Sequence, residues 1–325
     1  MLDRSTKVDL HKSLGGGLVE ARDVASARPM ATIADFLNAR PQLQRRFFFL
    51  AKRFVAGESV EDAVRAVRST NARGMAATLD FLGEDVFEER DAAHTTDVYC
   101  ELIDRIDAVG ADANVSVKLS AIGQAIAEDL AVANLERIIA CARPKNMFVR
   151  LDMEGSATVD STYRIMDRAR THYDLVGPVI QAYLHRAGSD AARCIAQSVR
   201  VRLCKGAYRE PPEVAIARMP LIRRNYMAIA ERLLSDGNYP GIATHDRALI
   251  AAVRAYVERN NIAAQRFEFQ MLYGVRPEAQ RRIVADGYRL RVYIPFGTHW
   301  AGYFYRRIAE RKENALFVVT SLFGR

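Results

Sequence analysis

The stretch Leu290–Glu310 reads LRVYIPFGTHWAGYFYRRIAE and joins a short apolar run to a helix pattern. Residues three and four positions apart share one face of a helix. That face would therefore carry a phenol, two guanidiniums and a carboxylate, from Tyr303, Arg306, Arg307 and Glu310. Paired guanidiniums bind a carboxylate ligand through parallel hydrogen bonds. The alternative is a solvated basic turn near a helix end, where the helix dipole favours cations.

The same strand-then-helix pattern repeats upstream, beginning near Gly74. Strands are predicted over Met75–Leu79, Asn114–Leu119, Met147–Asp152, Val176–Gln181, Val199–Lys205, Pro240–Thr244, Phe267–Met271 and Leu290–Ile294. Amphipathic helices are predicted between them, over Thr95–Val109, Val132–Cys141, Tyr163–Tyr173, Ala191–Gln197, Ala217–Ser235, Arg247–Asn260 and Glu278–Asp286. Eight strands separated by helices predict an α/β fold, a (β/α)8 TIM-type barrel. An open doubly wound sheet is the alternative, but no glycine fingerprint follows an early strand.

Composition places the chain among ordinary globular proteins. Of its 325 residues, 50% are hydrophobic and 26% charged, with a formal net charge of +8. The excess positive charge suits an anionic substrate or a phosphate-bearing cofactor. It is spread along the chain and not gathered in one segment, so we expect no nucleic-acid partner. Four cysteines without a CxxC pair, and no signal-peptide pattern, predict a cytoplasmic protein without a metal site.

The first part of the chain has a different pattern. We expect residues 1–68 to form a flexible start and a helical arm, and residues 69–325 to form the barrel. Within the arm, Arg45–Gly57 reads RRFFFLAKRFVAG and alternates basic with apolar residues. Such a helix packs most often on its own domain or on another subunit, although a membrane surface is the alternative.

Polar residues end most of the predicted strands. The residues at these strand ends, in order along the chain, are Lys118, Asp152, Met153 and Glu154, Gln181 and Tyr183, Arg202, Lys205 and Tyr208, Thr244 and His245, Glu268, Gln270 and Tyr273, and Tyr293, of which all but Met153 are polar. The carboxyl ends of barrel strands are where TIM-barrel active sites lie. Ionisable groups at the edge of a core are costly unless they are paired or used. A mouth rich in cations suits a ligand that carries phosphates and a carboxylate.

Several of these segments together resemble the proline dehydrogenase family in its short, single-function bacterial form. They are VKLS, LDMEGS, QAYLHR, VRLCKGAYRE, ATHD, EFQMLYG and YIPFGTHWAGYFYRRIAE, in the expected order from about Gly74 to the C-terminus. The resemblance implies a distorted (β/α)8 barrel whose last helix, here Gly302–Lys312, lies over the barrel mouth. It also implies bound FAD without a Rossmann domain, and oxidation of L-proline to Δ1-pyrroline-5-carboxylate by hydride transfer to flavin N5. Cys204 departs from the family pattern, where an aliphatic residue is commoner, and a small buried cysteine should be tolerated.

The resemblance also assigns roles to residues of this sequence. Arg306 and Arg307 would clamp the proline carboxylate, with Lys118 as a third cation and Glu310 orienting the arginines. Tyr293, Tyr303 and Leu203 would wall the proline ring. Asp152 would hold Lys118, Tyr208 would close the site, and Arg202 would lie near flavin N5. The expected FAD contacts are Met153, Gln181, Arg202, Lys205, Gly206, Ala207, Thr244 and His245. The residues do not identify the base that removes the amine proton.

Partners follow from the same resemblance. The reduced flavin would pass its electrons to a membrane quinone, so the enzyme would work in the cytoplasm or at the inner face of the membrane. A separate pyrroline-5-carboxylate dehydrogenase would consume the product, and the arm could mediate homo-oligomer formation. Two other functions remain as alternatives at this point: a flavin barrel acting on a folate, such as methylenetetrahydrofolate reductase, and a basic binding protein without enzymatic activity.

Overall fold

A computed structural model describes Phe48, residues 51–83 and residues 86–309 of the chain, with side chains described as far as Phe304 in the last helix. The strands are β1 (Ala76–Phe81), β2 (Ala113–Lys118), β3 (Val149–Asp152), β4 (Val176–Gln181), β5 (Arg202–Cys204), β6 (Gly241–Ala243), β7 (Glu268–Leu272) and β8 (Leu290–Phe296). The helices are α1 (Val60–Asn71), α2 (Glu89–Ala108), α3 (Glu128–Ala142), α4 (Val159–Arg170), α5 (Ala187–Ala196), α6 (Met219–Asp236), α7 (Arg247–Arg259), α8 (Pro277–Ala285) and α9 (Trp300–Ala309).

The eight strands form one closed parallel sheet. Each strand pairs with the next, and β8 returns to pair with β1, where Thr78 lies opposite Tyr293. An open doubly wound sheet would have two edge strands, each paired on one side only. The closed order therefore confirms the predicted (β/α)8 barrel.

Alternation along the strands separates an apolar layer from a polar interior. In β2, Val115 and Val117 are fully buried in the hydrophobic core. Between and after them, Ser116 and Lys118 reach carboxylates of neighbouring strands across the barrel interior. Because successive side chains of a strand point to opposite faces, one strand supplies both layers. Polar groups buried in the interior must then be hydrogen-bonded to one another.

Most element boundaries differ from the prediction by a few residues, as at β5 and α2. Strand β5 is shorter than the expected Val199–Lys205, although Gly241 N still donates to Val201 O at 2.8 Å just before it. Helix α2 begins earlier than the expected Thr95, with Glu89 and Asp91 in its first turn. Acidic residues stabilise the positive end of a helix dipole, so a polar start does not prevent helix formation.

The described part of the arm packs on the rest of the chain. Ala51, Phe54 and Val55 are buried, and the Phe54 ring lies 6.3 Å from that of Phe304 in α9. This packing favours the core-facing interpretation over the membrane-surface one for these residues. Most of the predicted arm, including residues 1–47, lies outside the described residues.

Helix α1 follows the arm and extends past the boundary expected at residue 68. Ser59 caps α1: its hydroxyl accepts from Asp62 N, and the Asp62 carboxylate accepts from Ser59 N. Of the helices in the described ranges, none combines the length and the apolar composition needed to cross a membrane.

Candidate active site

A cavity of about 730 Å³ opens at the carboxyl ends of the strands. Its size is that of an ordinary small-molecule or cofactor site. Most of the predicted site residues line it: Lys118, Asp152, Met153, Gln181, Arg202, Lys205, Gly206, Ala207, Tyr208, Thr244, His245, Tyr293 and Tyr303. The fold thus brings together side chains that are far apart in the sequence, from Lys118 to Tyr303.

Lys118 has a counter-charge that the sequence analysis missed. Its Nζ lies 2.6 Å from both carboxylate oxygens of Asp80, whose side chain is fully buried. The prediction gave this contact to Asp152 and ended the first strand at Leu79, whereas β1 continues to Phe81. Asp80 follows the apolar run MAATL directly, and that position was the available signal.

Asp152 instead receives hydrogen bonds from three other strands. Arg202 Nη1 donates to Oδ1 at 2.7 Å, Ser116 Oγ donates to the same oxygen at 2.6 Å, and Tyr293 OH donates to Oδ2 at 2.9 Å. The Arg202 guanidinium also stacks 5.2 Å from the centre of the Tyr293 ring. A carboxylate that accepts from several donors holds each of them in one orientation. Asp152 therefore orders β5 and β8 side chains at the cavity floor.

Burial also affects the tyrosine at this floor. Desolvation raises the pKa of the Tyr293 phenol well above its ordinary value, and the nearby carboxylate of Asp152 raises it further. Tyr293 is consequently a neutral hydrogen-bond donor at physiological pH.

The segment after β5 supplies a cation, Lys205, and a glycine, Gly206, that packs closely against an aromatic ring. Lys205 Nζ lies 3.3 Å and Arg223 Nε 2.7 Å from Oδ2 of Asp246. Burial opposes ionisation of Asp246, but the hydrogen bonds and charges of these two cations outweigh it and lower the pKa of its carboxyl. Gly206 has a φ of 112°, and a Cβ there would lie 2.1 Å from the ring of Tyr183. Only glycine fits this position.

His245 has a defined tautomer. Its Nε2 accepts a hydrogen bond from the backbone N–H of Leu272 at 2.9 Å. A ring nitrogen that accepts carries no proton, so in the neutral imidazole the proton is on Nδ1. Arg276 donates to the carbonyl oxygen of the same histidine. His245 thus carries its proton on Nδ1, and the residue lines the cavity.

One predicted substrate contact conflicts with the structure. Leu203 is fully buried, belongs to the hydrophobic core and does not line the cavity. Its neighbour Arg202 reaches into the barrel interior, so the next residue along β5 must point to the opposite face. We therefore remove Leu203 from the set of substrate contacts.

Three predicted residues cannot be placed in the same way. The backbone of Arg306 and Arg307 belongs to α9, but their side chains lie outside the described part of the structure, as does Glu310 entirely. Tyr303, one turn earlier, is buried and lines the cavity. The start of α9 therefore lies at the barrel mouth, as the resemblance implied.

The chain matches one protein family over most of its length. A family model described as proline dehydrogenase matches residues 63–320. Proline dehydrogenase 1 of Bacillus subtilis (strain 168) is 39% identical over 272 residues, which cover 84% of this chain and 90% of that protein. Proline dehydrogenase of Deinococcus radiodurans is 39% identical over 303 residues, covering 91% of this chain and 97% of the other.

A solved structure has the same fold. Proline utilization A (PutA) from Bdellovibrio bacteriovorus, inactivated by N-propargylglycine, superposes with a TM-score of 0.77 at 27% identity. The match covers 86% of this chain and 34% of that one. The chain spans about a third of that larger protein and nearly the whole of the curated relatives above.

Proposed function

This chain belongs to the proline dehydrogenase family, and we propose that it oxidises L-proline to Δ1-pyrroline-5-carboxylate with FAD as its resident cofactor. Family membership makes it an oxidoreductase of proline metabolism. The cofactor, the residue roles and the electron acceptor are parts of the proposal. The observation that carries it is the cavity at the strand ends, where Lys118, Arg202 and Tyr293 converge in a chain this similar to proline dehydrogenases.

The proline carboxylate would be bound by cations from two sides. Lys118 projects from β2 into the cavity, and its buried contact with Asp80 holds the ammonium in place. Arg306 and Arg307 follow Tyr303 by three and four positions in the sequence, a spacing that shares one face of a helix, and we propose that they bind the carboxylate from the second side. Glu310 would orient the two arginines.

The pyrrolidine ring would lie between the two tyrosines of the cavity. Tyr293 and Tyr303 both line it, one from β8 and one from α9. The bond from Tyr293 OH to Asp152 prevents this phenol from rotating away. Holding the ring in one position relative to the cofactor reduces the entropy that must be lost in the transition state. We assign Tyr208, which is 37% exposed at the rim, to closing the site.

The cavity residues suit a flavin dinucleotide. At one end Lys205 and the backbone of Gly206 and Ala207 supply positive charge and space for phosphates, and the glycine cradle has no room for a Cβ. At the other, Arg202 and Gln181 are buried polar groups beside the apolar Met153. We propose that Thr244 and His245 complete these contacts.

When bound, FAD would accept a hydride from the ring CH₂ next to the proline nitrogen, the neighbour that does not carry the carboxylate, while the nitrogen loses its proton and the C=N bond forms. The chain supplies orientation and electrostatics. Arg202 would place its positive charge where negative charge develops, and its contact with Asp152 fixes that charge before the reaction begins.

A spectrum recorded before and after adding proline tests the proposal. Purified protein, loaded with FAD where needed, should show flavin absorption that L-proline bleaches without oxygen. D-proline serves as the control ligand of equal charge and composition. Protein that cannot be loaded with FAD, or a flavin that L-proline leaves oxidised, would refute the proposed function.

We propose a membrane quinone as the electron acceptor, reached from the cytoplasm or the inner face of the membrane. The imine product would need a separate pyrroline-5-carboxylate dehydrogenase, and homo-oligomer formation through residues 1–68 remains a prediction. Turnover with a soluble quinone analogue, compared with NAD⁺, would test the first of these statements.

A further inference from the structure

A line of polar side chains in the barrel interior connects Arg202 of β5 to Glu268 of β7 and Arg291 of β8. Arg202 Nε donates to Gln270 Oε1 at 2.5 Å, and Gln270 Nε2 donates to Glu268 Oε1 at 2.6 Å. Arg291 Nε donates to that same Glu268 oxygen at 2.8 Å. Arg202, Gln270 and Glu268 are each at most 6% exposed. Arg202 has a role in the proposed reaction, whereas Gln270, Glu268 and Arg291 have none.

We propose that Gln270 and Glu268 are positioning residues, which hold the Arg202 guanidinium in the one orientation that the reaction at the flavin requires. The inference rests on the proposed function, because it concerns how Arg202 faces the cofactor. It adds two residues of β7 that would act through Arg202.

Glu268 determines which way the Gln270 amide points. An amide can sit in two orientations that differ by exchange of its oxygen and nitrogen. An ionised carboxylate only accepts hydrogen bonds, so the NH₂ group must face Glu268 and the oxygen must face Arg202. Burial opposes ionisation of Glu268, but the charge and hydrogen bond of Arg291 outweigh it and lower the pKa of its carboxyl. Glu268 is therefore ionised at neutral pH, and the amide has a single orientation.

The neighbouring strand leaves space for this amide. A Cβ on Gly241 of β6 would lie 2.4 Å from Gln270 Nε2. Any larger residue there would displace the amide from the line. The close contact with Gln270 therefore explains why position 241 is a glycine.

The remaining bonds of Arg202 show what the orientation achieves. Nη1 donates to Ser116 at 2.9 Å and to Asp152 at 2.7 Å, while Nε is held by Gln270. A guanidinium has five N–H donors in one plane, and these three contacts define that plane. Among the described residues, Nη2 has no hydrogen-bond partner, and Arg202 lines the cavity. Its two remaining donors are thus available to a ligand.

The test compares three variants of the FAD-loaded enzyme. Gln270→Leu removes the amide and nearly keeps its volume. The double variant Glu268→Gln with Gln270→Glu exchanges the two side chains. It reverses the hydrogen-bond donor and acceptor between positions 268 and 270 and keeps the total charge. It also leaves an acceptor for Arg202 Nε. Gln280→Leu is the matched control, because Gln280 is equally buried but donates to the carbonyl oxygens of Leu272 and Val275.

Two quantities are measured for each: the flavin midpoint potential, and the rate of flavin reduction at saturating proline. We expect Gln270→Leu to lower the rate at least tenfold, to change the proline KM by less than threefold, and to shift the flavin equilibrium tenfold toward the oxidised form. For a two-electron couple that shift is about 30 mV. The exchanged pair should recover most of both losses, and Gln280→Leu should show neither.

Unchanged potential and rate in Gln270→Leu would overturn the inference, as would the same shift in Gln280→Leu, which would indicate a general loss of stability. Should Gln270→Leu not fold, Glu268→Gln alone frees the amide to turn and must shift the potential in the same direction. The wild-type spectrum is recorded first. A wild type that fails to bind FAD refutes the proposed function, whereas normal wild type with unaffected variants refutes only the positioning role.

Discussion

The ion pair between Asp80 and Lys118 leads to a prediction that separates stability from substrate binding. Asp80→Asn keeps the shape of the side chain and removes its charge. Both partners are almost completely buried, at 0% and 8% side-chain exposure. Removing one partner of a buried ion pair costs about 3–5 kcal/mol. We expect the lower end, about 3 kcal/mol, because the amide oxygen still accepts a hydrogen bond from Nζ.

Substrate binding should also weaken, because an ammonium loses its proton more readily in a buried site once the negative charge of Asp80 is removed. Loss of one charge-assisted bond to the proline carboxylate, about 1.5–3 kcal/mol, corresponds to a KM increase of about 10- to 150-fold. The double variant Asp80→Asn with Lys118→Met removes both charges. It should regain most of the lost stability, since an apolar replacement of a buried pair is often neutral. Its proline KM should stay high.

Urea unfolding of the apoprotein followed by circular dichroism measures the first effect, and steady-state kinetics with proline measures the second. Asp129→Asn is the control, because Asp129 pairs with Arg168 on the exposed faces of α3 and α4. Such a pair should contribute little. A single variant as stable as wild type, or a double variant no more stable than the single one, would refute this account of the pair.

Three further outcomes are expected. Gly206→Ala should abolish FAD retention, because its Cβ would overlap an aromatic ring, whereas Gly188→Ala, which meets nothing within 4 Å, should retain FAD as measured by flavin absorbance after gel filtration. Arg306→Met and Arg307→Met should each raise the proline KM about 10- to 150-fold with little change in flavin content, and an unchanged KM in both would remove the carboxylate clamp. Asp246→Asn should lower the free energy of unfolding at neutral pH. The decrease of that free energy between neutral and acidic pH should then be smaller in the variant than in the wild type. The lowered pKa of Asp246 gives stabilisation that is present above about pH 4 and disappears as the pH falls, so parallel urea titrations of both proteins at neutral and acidic pH check the sign.

The barrel could be predicted because its evidence in the sequence is local. Each apolar run is short and each following helix is amphipathic. The spacing of apolar residues differs between strands and helices, so the two can be told apart without knowledge of contacts. Polar residues at the strand ends follow from the same local pattern, so Lys118, Asp152 and Arg202 were identified before their neighbours were known. Closure of the sheet then brings them to one cavity.

Pairings between strands could not be predicted, because they depend on register and side-chain direction. Lys118 contacts Asp80, which is 38 residues away, and Arg202 contacts Gln270, which is 68 residues away. The prediction for Leu203 rests on the motif resemblance alone, whereas side-chain alternation along β5 turns Leu203 away from the face that carries Arg202. The single orientation of the Gln270 amide depends on Glu268, which the sequence indicated only as another polar residue near a strand end.

Trp300 gives the molecule a built-in optical reporter. It is the one tryptophan among the 325 residues. Its fully buried indole lies 5.4 Å from the Phe48 ring and 5.9 Å from that of Phe304, and its Nε1 donates to Glu58 at 3.3 Å. Indole emission shifts to longer wavelength when water reaches the ring. Intrinsic fluorescence of the unlabelled protein therefore reports whether the start of α9 is seated against the arm, and a red shift would mark the moment at which that contact opens.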